Sequence, residues 1–411
     1  MKYGLIGGKL GHSFSKIIHE RIADYEYELR EIASDEFDGF MRKREFLGIN
    51  VTIPYKESVI PYLDEVDEGA RQIGAVNTVV SRDGKLYGYN TDYYGMSMLF
   101  SHAEIDPKGR KVAILGTGGT SKTAMTVVKD LGASEVIRVS RSGRDGAITY
   151  EELREKHFDT EIIVNTTPAG MFPNIYESPI DISGFNKLSG VIDAVYNPIN
   201  TTLVQSAEKR GIKAEGGLYM LVAQAIRASE LFTDIKCPSY MLDVIYESVR
   251  AEKENIVLIG MPSSGKSTVG RLLAQKLCCD FVDTDELILD EIKMPIKEFF
   301  STYGEEKFRD IESEVIRNLA GRGGLVIATG GGAVLREENV CALKYNGKII
   351  FIDRPLENLV ATDSRPLSAD RSALERLYYH RYPIYQSICD AIVPSVGEPS
   401  DVADNIVENY L

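Results

Sequence analysis

Residues 260–267, Gly260-Met261-Pro262-Ser263-Ser264-Gly265-Lys266-Ser267, fit the pattern G-x-x-x-x-G-K-[ST]. A loop of this kind turns successive backbone N–H groups onto phosphate oxygens, brings a lysine to the β/γ-phosphates and offers a hydroxyl to Mg²⁺. Gly260, Gly265, Lys266, Ser267 and Thr268 are therefore candidate ATP contacts. Farther on, Phe281-Val282-Asp283-Thr284-Asp285 places two carboxylates at i and i+2. One suits Mg²⁺ through water, as Ser267 does directly, and the other can take a hydroxyl proton; helix capping is the alternative role for both. Arg309 and Arg381 fit bidentate recognition of a carboxylate, or else surface ion pairs. Gly330-Gly331-Gly332 follows a β-forming run, so backbone free of side chains can approach a ligand closely.

The first half carries different chemistry. Gly116-Thr117-Gly118-Gly119-Thr120-Ser121 follows Val112–Leu115 and reads as a dinucleotide turn, with Ser121 where the third glycine usually stands. The next strand, Glu135–Val139, runs into Ser140-Arg141-Ser142-Gly143-Arg144. Arginine at this exit accommodates a 2′-phosphate where an acid would take a ribose hydroxyl, so the cofactor expected is NADP(H). Ser13 and Ser15, just before a helix expected over about 15–24, can donate to a carboxylate or cap the helix. Lys56 stands at the exit of a strand that stops at Pro54. Read alone it is a surface lysine, and Asn77 and Asp92, at the ends of two further strand-like segments, are turn formers.

Strands that end in loops, and the helices that follow them, must hold these groups. Ile256–Ile259 enters the phosphate loop as a strand, and Val269, Leu272, Leu273 and Leu277 leave it at helical spacing, which puts the phosphates on a helix N-terminus. Ala124, Val127, Val128 and Leu131 do the same after the first glycine turn. Ile162–Gly170 and Val191–Pro198 are further strand-to-loop exits, where an open α/β sheet binds its ligand.

The whole chain sets bounds on partners. With 411 residues, 44% of them hydrophobic, it can fill two to four domain cores. A formal net charge of -14 argues against nucleic acid or an anionic membrane held by bulk electrostatics. No apolar run approaches the roughly 18 residues of a membrane span, and Met1–Lys9 has too short an apolar core for a signal peptide. Five cysteines without a C-x-x-C pair indicate neither a disulfide framework nor a zinc site, and a reducing cytoplasm fits best. Nothing in the sequence fixes an oligomeric state.

Two ordered motif sets carry a resemblance. Ser13-x-Ser15, Asn50-Val51-Thr52-x-Pro54-x-Lys56, Gly74-Ala75-Val76-Asn77-Thr78 and Asn90-Thr91-Asp92 together resemble shikimate dehydrogenase, over residues 1 to about 250. The resemblance implies that Ser13 and Ser15 hold the substrate carboxylate, that Thr52, Asn77 and Asp92 bind ring hydroxyls, and that Lys56 and Asp92 flank the reacting oxygen. It also implies that Tyr196 and Gln224 reach the substrate and that Met220 lies by the nicotinamide, although core packing is the commoner role of a methionine. Ser140 stands where an asparagine is usual.

Tyr303-Gly304-Glu305-x-x-Phe308-Arg309-x-x-Glu312, Gly330–Gly332, Arg365-Pro366-Leu367 and Arg381-x-x-x-Tyr385 resemble shikimate kinase, over about 255–411. This implies that Asp285, Arg309, Gly331 and Arg381 hold shikimate, that Asp285 faces the reacting hydroxyl, and that Lys266, Ser267 and Asp283 serve ATP and Mg²⁺. Arg365, in a polar stretch that reads as a lid, would bring charge to the transferring phosphoryl group. Leu359-Val360-Ala361 stands where many members carry another arginine.

The expected architecture is α/β throughout: a substrate-binding domain over 1–100 with a return helix at about 227–250, a Rossmann NADP domain over 101–226, and a P-loop kinase domain with a parallel sheet over 255–411. The expected function is NADPH reduction of 3-dehydroshikimate to shikimate followed by ATP phosphorylation of shikimate. The rivals are quinate as a further substrate of the first half, and a second half that acts on another small hydroxy acid or only binds nucleotide. Only Ala251–Glu254 separates the two halves, too few residues for a long tether.

Overall fold

The computed structural model describes residues 1–10, 14–144, 146–360 and 370–411. Ser13 and Arg365 lie outside the described residues, as does the expected lid. Contacts divide the chain into two compact units, Met1–Arg250 and Ala251–Leu411.

In the first unit, β1 (Tyr3–Gly7), β2 (Tyr27–Glu31), β3 (Gly48–Val51), β4 (Glu65–Val66), β5 (Thr78–Arg82) and β6 (Lys85–Tyr89) form a mixed sheet ordered β2-β1-β3-β5-β6-β4. Its helices are α1 (Ser15–Ile22), α2 (Phe37–Lys43) and α3 (Glu68–Ile73), and α4 (Thr91–His102) leads out of it. The strands β1, β2 and β3 pair in parallel, with Tyr3 opposite both Tyr27 and Gly48. A second sheet, all parallel, takes β7 (Lys111–Leu115), β8 (Glu135–Val139), β9 (Ile162–Asn165), β10 (Gly190–Asp193) and β11 (Lys213–Glu215) in the order β11-β10-β9-β7-β8. Helices α5 (Gly119–Asp130), α6 (Tyr150–Lys156) and α7 (Thr202–Glu208) connect its strands, and α8 (Leu218–Thr233) and α9 (Met241–Lys253) close the unit. Strand order reverses at β7, and the glycine turn leaves that strand, so the candidate dinucleotide turn sits at a topological switch point.

The return to the first sheet differs from expectation. The single helix read over about 227–250 is two helices, broken because Asp234 caps α8 in the left-handed region (φ 60°) and Pro238 follows. The earlier helix is the one that returns. Phe232 of α8 packs on Tyr3, with ring centroids 5.5 Å apart, and covers Gly48 so closely that a Cβ there would strike its ring. In contrast, Leu242, Ile245, Tyr246 and Val249 of α9 join the core that backs β7, β9 and β10.

The second unit has one parallel sheet, β12 (Asn255–Ile259), β13 (Asp280–Asp283), β14 (Leu325–Ala328), β15 (Gly347–Asp353) and β16 (Ala391–Pro394), ordered β13-β14-β12-β15-β16. Around it run α10 (Lys266–Leu277), α11 (Thr284–Ile292), α12 (Ile296–Leu319), α13 (Glu337–Lys344), α14 (Arg371–Ile388) and α15 (Pro399–Tyr410). The central strand β12 carries the phosphate loop, and its run Ile256–Ile259 is buried on both faces, as a parallel core strand must be. Gly304 adopts φ 83° and kinks α12 ahead of Arg309. No helix among the described residues is long and apolar enough to cross a membrane.

His19 of α1 lies wholly buried in the first unit, and burial lowers its pKa from 6.5 to about 3. The unfolded chain therefore binds one more proton between those values, so the contribution of this residue is complete above pH 6.5 and is lost as pH falls toward 3. Stability of the first unit is expected to drop by about 2 kcal/mol between pH 7 and pH 5 from this group. Urea denaturation at the two pH values measures it, and His19→Phe should flatten the difference.

Candidate active sites

Each unit gathers its candidate residues at the C-terminal ends of its strands. In the first, Lys56 follows β3, and its Nζ lies 2.6 Å from Asp92 Oδ2 with both side chains largely buried. Asp92 is not on a strand, as its neighbours suggested. β6 ends at Tyr89, Asn90 caps α4 by accepting from the Tyr93 N–H, and Asp92 falls in the first helical turn. There the helix dipole favours its negative charge. The Asn77 amide donates to Asp92 Oδ1 at 2.8 Å, while its Oδ1 accepts the Thr91 N–H at 2.7 Å. Gln224 of α8 closes the group, its Oε1 3.5 Å from Thr91 Oγ1.

The other expected substrate contacts flank this cluster less directly. Phe14 is the N-cap residue of α1, without a side-chain cap bond, so Ser15 is the first helical residue rather than the cap. Thr52 is half-buried and its backbone N–H donates to the Ile6 carbonyl at 3.0 Å. Tyr196 is half-buried, its ring 5.4 Å from that of Phe14.

The dinucleotide turn approaches the same place. Gly118 caps α5, Gly119 and Thr120 open it, and a Cβ on Gly119 would lie 3.4 Å from Lys56 Cδ. Ser121 is buried and donates its hydroxyl to the Gly116 carbonyl at 2.7 Å. The serine thus closes the turn with its side chain. Open space over Gly118 and the outward N–H groups of the α5 start fit a pyrophosphate. Ser140 Oγ accepts the Gly143 N–H at 3.1 Å and shapes the turn that leaves Arg141 and Arg144 exposed, as a 2′-phosphate grip requires. Met220 is buried in the core and packs against Gly95.

In the second unit a cavity of about 450 Å³ is lined by Lys266, Ser267, Asp283, Asp285, Arg309, Gly331 and Arg381, together with Gly265 and Thr268. Lys266 folds over the loop, its Nζ donating to the carbonyls of Gly260 at 3.0 Å and Met261 at 2.9 Å. Ser267 Oγ donates to Asp283 Oδ2 at 2.6 Å, and the other oxygen of Asp283 accepts the Asp285 N–H and caps α11. These two hard oxygen donors suit a Mg²⁺ that keeps most of its waters. Asp285 is on the first turn of α11 rather than on the strand. Gly332 has no room for a side chain, because a Cβ there would strike the Arg309 guanidinium. The Gly331 carbonyl accepts the Tyr385 hydroxyl at 2.5 Å.

Three residues of this cavity or its wall were given no role by the sequence. Glu312 is buried beside Arg309, accepting from its Nη1 at 2.6 Å, and burial holds the carboxyl above its usual range although Arg309 opposes this. Its i+3 spacing from Arg309 on one helix was the available signal. Arg354 leaves β15 at a strand exit of the kind already used to find ligand sites, and Tyr385 was visible only as a motif position. Arg309 Nε, Arg381 Nε and Glu312 Oε1 are buried without a hydrogen-bond partner among the described residues. Unsatisfied guanidinium donors at a cavity wall fit an anionic ligand.

Comparison with known proteins assigns both units. Residues 5–79 match the family model of the shikimate dehydrogenase substrate binding domain. A shikimate dehydrogenase (NADP(+)) from Clostridium perfringens is 36% identical over 266 residues, 60% of this chain and 98% of that protein. The chain belongs to the shikimate dehydrogenase family. Residues 262–411 match the shikimate kinase family model, so the family extends here into a fusion with a kinase domain. Shikimate dehydrogenase 1 from Peptoclostridium difficile superposes with a TM-score of 0.57 at 40% identity, covering 61% of this chain and 98% of that one. A Thermus thermophilus shikimate 5-dehydrogenase in complex with NADP(H) and shikimate gives 0.54 at 26% identity, over 60% and 99% of the two chains. The expected α/β folds, the NADP and ATP cofactors and the pairing of two enzymes hold.

The kinase half should be sensitive at Glu312. Its removal in Glu312→Ala leaves the Arg309 charge buried against only the more exposed Glu305, 3.1 Å away, and is expected to destabilise that unit by about 3 kcal/mol. The urea midpoint of its unfolding transition measures the loss.

Proposed function

We propose that the first unit reduces 3-dehydroshikimate to shikimate with NADPH and that the second phosphorylates the 3-hydroxyl of shikimate with ATP, in the cytoplasm. The observation that carries this reading is that Lys56, paired with Asp92, lies against Gly119 of the dinucleotide turn, because a ketone reduction needs a proton donor beside the hydride source. The domains in this reading are 1–100 joined by α8, 101–226, and 255–411.

In the first unit Ser13 and Ser15 hold the ring carboxylate, and Thr52, Asn77 and Asp92 hold ring hydroxyls, with Tyr196 and Gln224 completing the pocket. NADPH, held by Gly116, Gly118, Gly119 and Thr120 and gripped at its 2′-phosphate by Arg141 and Arg144, supplies the hydride when bound. Lys56 gives its proton to the developing alkoxide, and Asp92 keeps the ammonium aimed. In the reverse direction the same lysine takes the proton back.

In the second unit Arg309, Arg381 and the Gly331 backbone hold shikimate, with Glu312 fixing the Arg309 fork. Asp285 accepts the hydrogen of the attacking hydroxyl. Lys266 and Arg365 place positive charge where negative charge gathers on the phosphoryl oxygens, and Ser267 and Asp283 would hold Mg²⁺. The two pockets recognise the same carboxylate by different means, hydroxyls in one and arginines in the other.

The test is to incubate the full chain with 3-dehydroshikimate, NADPH, ATP and Mg²⁺ and to follow shikimate 3-phosphate. Lys56→Ala should lower the reduction by a factor on the order of 10³ and spare phosphorylation, and Lys266→Ala should do the reverse. Losses that cross between the two activities would overturn the assignment.

A further inference from the structure

Behind the Lys56–Asp92 pair a line of buried polar side chains runs back to the far edge of the first sheet. Tyr27 Oη donates to Asn50 Oδ1 at 2.7 Å, and Asn50 Nδ2 donates to Thr78 Oγ1 at 3.0 Å. Thr78 Oγ1 in turn lies 3.1 Å from Asn77 Oδ1. Asn77 then donates to Asp92, and Asp92 accepts from Lys56. Tyr27, Asn50, Thr78, Asn77, Thr91 and Asp92 are each no more than 6% exposed, so water cannot stand in for a missing partner.

The line has a direction. A primary amide offers an acceptor at one end and donors at the other. Were Asn50 turned over, its oxygen would face the Asn77 carbonyl, which now lies 3.4 Å from Nδ2, acceptor against acceptor. The Tyr27 hydroxyl holds the satisfied orientation. Thr78, having accepted from Asn50, must point its own hydrogen at Asn77 Oδ1 or at Thr91 Oγ1, both 3.1 Å away. The first choice joins the Thr91 N–H, 2.7 Å from Asn77 Oδ1, in keeping the oxygen end of Asn77 on this side and its NH₂ on Asp92; the second reaches Asn77 through Thr91. Tyr27 itself is fixed by the His19 imidazole, which stacks on its ring at 3.9 Å and 6° and hydrogen-bonds Tyr25 Oη through Nδ1 at 2.7 Å. An amide in the middle cannot hand on a proton, so the line orients rather than relays.

We propose that Tyr27 and Asn50, which bond neither Lys56 nor Asp92, are positioning residues that set the carboxylate of Asp92 for the reduction. The proposal rests on the dehydrogenase reading above. The experiment compares the full chain with its Tyr27→Phe, Thr78→Val, double and Thr78→Ser variants. It reads kcat and KM for reduction of 3-dehydroshikimate by NADPH, the phosphorylation of shikimate as an internal measure of intact chain, and the thermal transition as a measure of folding. Tyr27→Phe is expected to lower kcat about tenfold, with KM for either substrate changed less than about twofold. Thr78→Val should lower kcat at least as much, the double variant should lose no more than the worse single one, and Thr78→Ser should recover kcat to within about twofold of the wild type. Wild-type kcat in Tyr27→Phe, or losses that multiply in the double variant, would overturn the positioning role while leaving the dehydrogenase reading intact. A wild-type chain unable to reduce 3-dehydroshikimate would overturn that reading and the proposal with it.

Discussion

Taking an ammonium and a carboxylate out of water costs several kcal/mol per ion, and the cost is recovered only where geometry and hydrogen bonding are good. The first unit meets this condition at Lys56 and Asp92. The carboxylate sits on the positive end of α4, accepts from Asn77 and faces the lysine at 2.6 Å. Much of the surrounding architecture follows from that demand. β5 has to deliver Asn77 opposite the start of α4, β3 has to end so that Lys56 arrives from the other side, and α8 has to return from the second sheet to seal the group with Gln224. The second unit solves the same problem with Arg309 and Glu312 on one helix, where i+3 spacing supplies the partner locally.

That contrast explains what could be read in the chain beforehand. The phosphate loop, the dinucleotide turn and the arginines after β8 were legible because each is contained in a few consecutive residues bounded by a strand and a helix. Lys56 and Asp92 were readable only through four ordered motifs, because their meeting depends on sheet pairing over 36 residues. Tyr27 carried no local signal at all, and Asn50 only its place in a motif with no role attached. They meet because β1 lies between β2 and β3 in fixed register, which no spacing along the chain announces. The break in the return helix was missed for a different reason: apolar residues recur across 227–250, and the left-handed cap at Asp234 with Pro238 beyond it overrides that periodicity.

The acidic balance of the chain sharpens the role of the local donors. At a formal charge of -14, long-range attraction does not concentrate an anionic substrate, so each pocket must supply its own positive or hydrogen-bonding groups. In the proposed reading Arg309 and Arg381 do so, each with a buried Nε that has no hydrogen-bond partner among the described residues. Burying such groups without a permanent counterion on every donor is costly, and the cost is offset when a carboxylate arrives.

Asp283 divides its two oxygens between separate tasks. One bonds the hydroxyl of Ser267, and the other caps α11 and thereby fixes Asp285. A cation that enters on the serine side competes for the first oxygen only, and the cap stays in place. The setting of Asp285 is thereby mechanically uncoupled from whatever Ser267 holds.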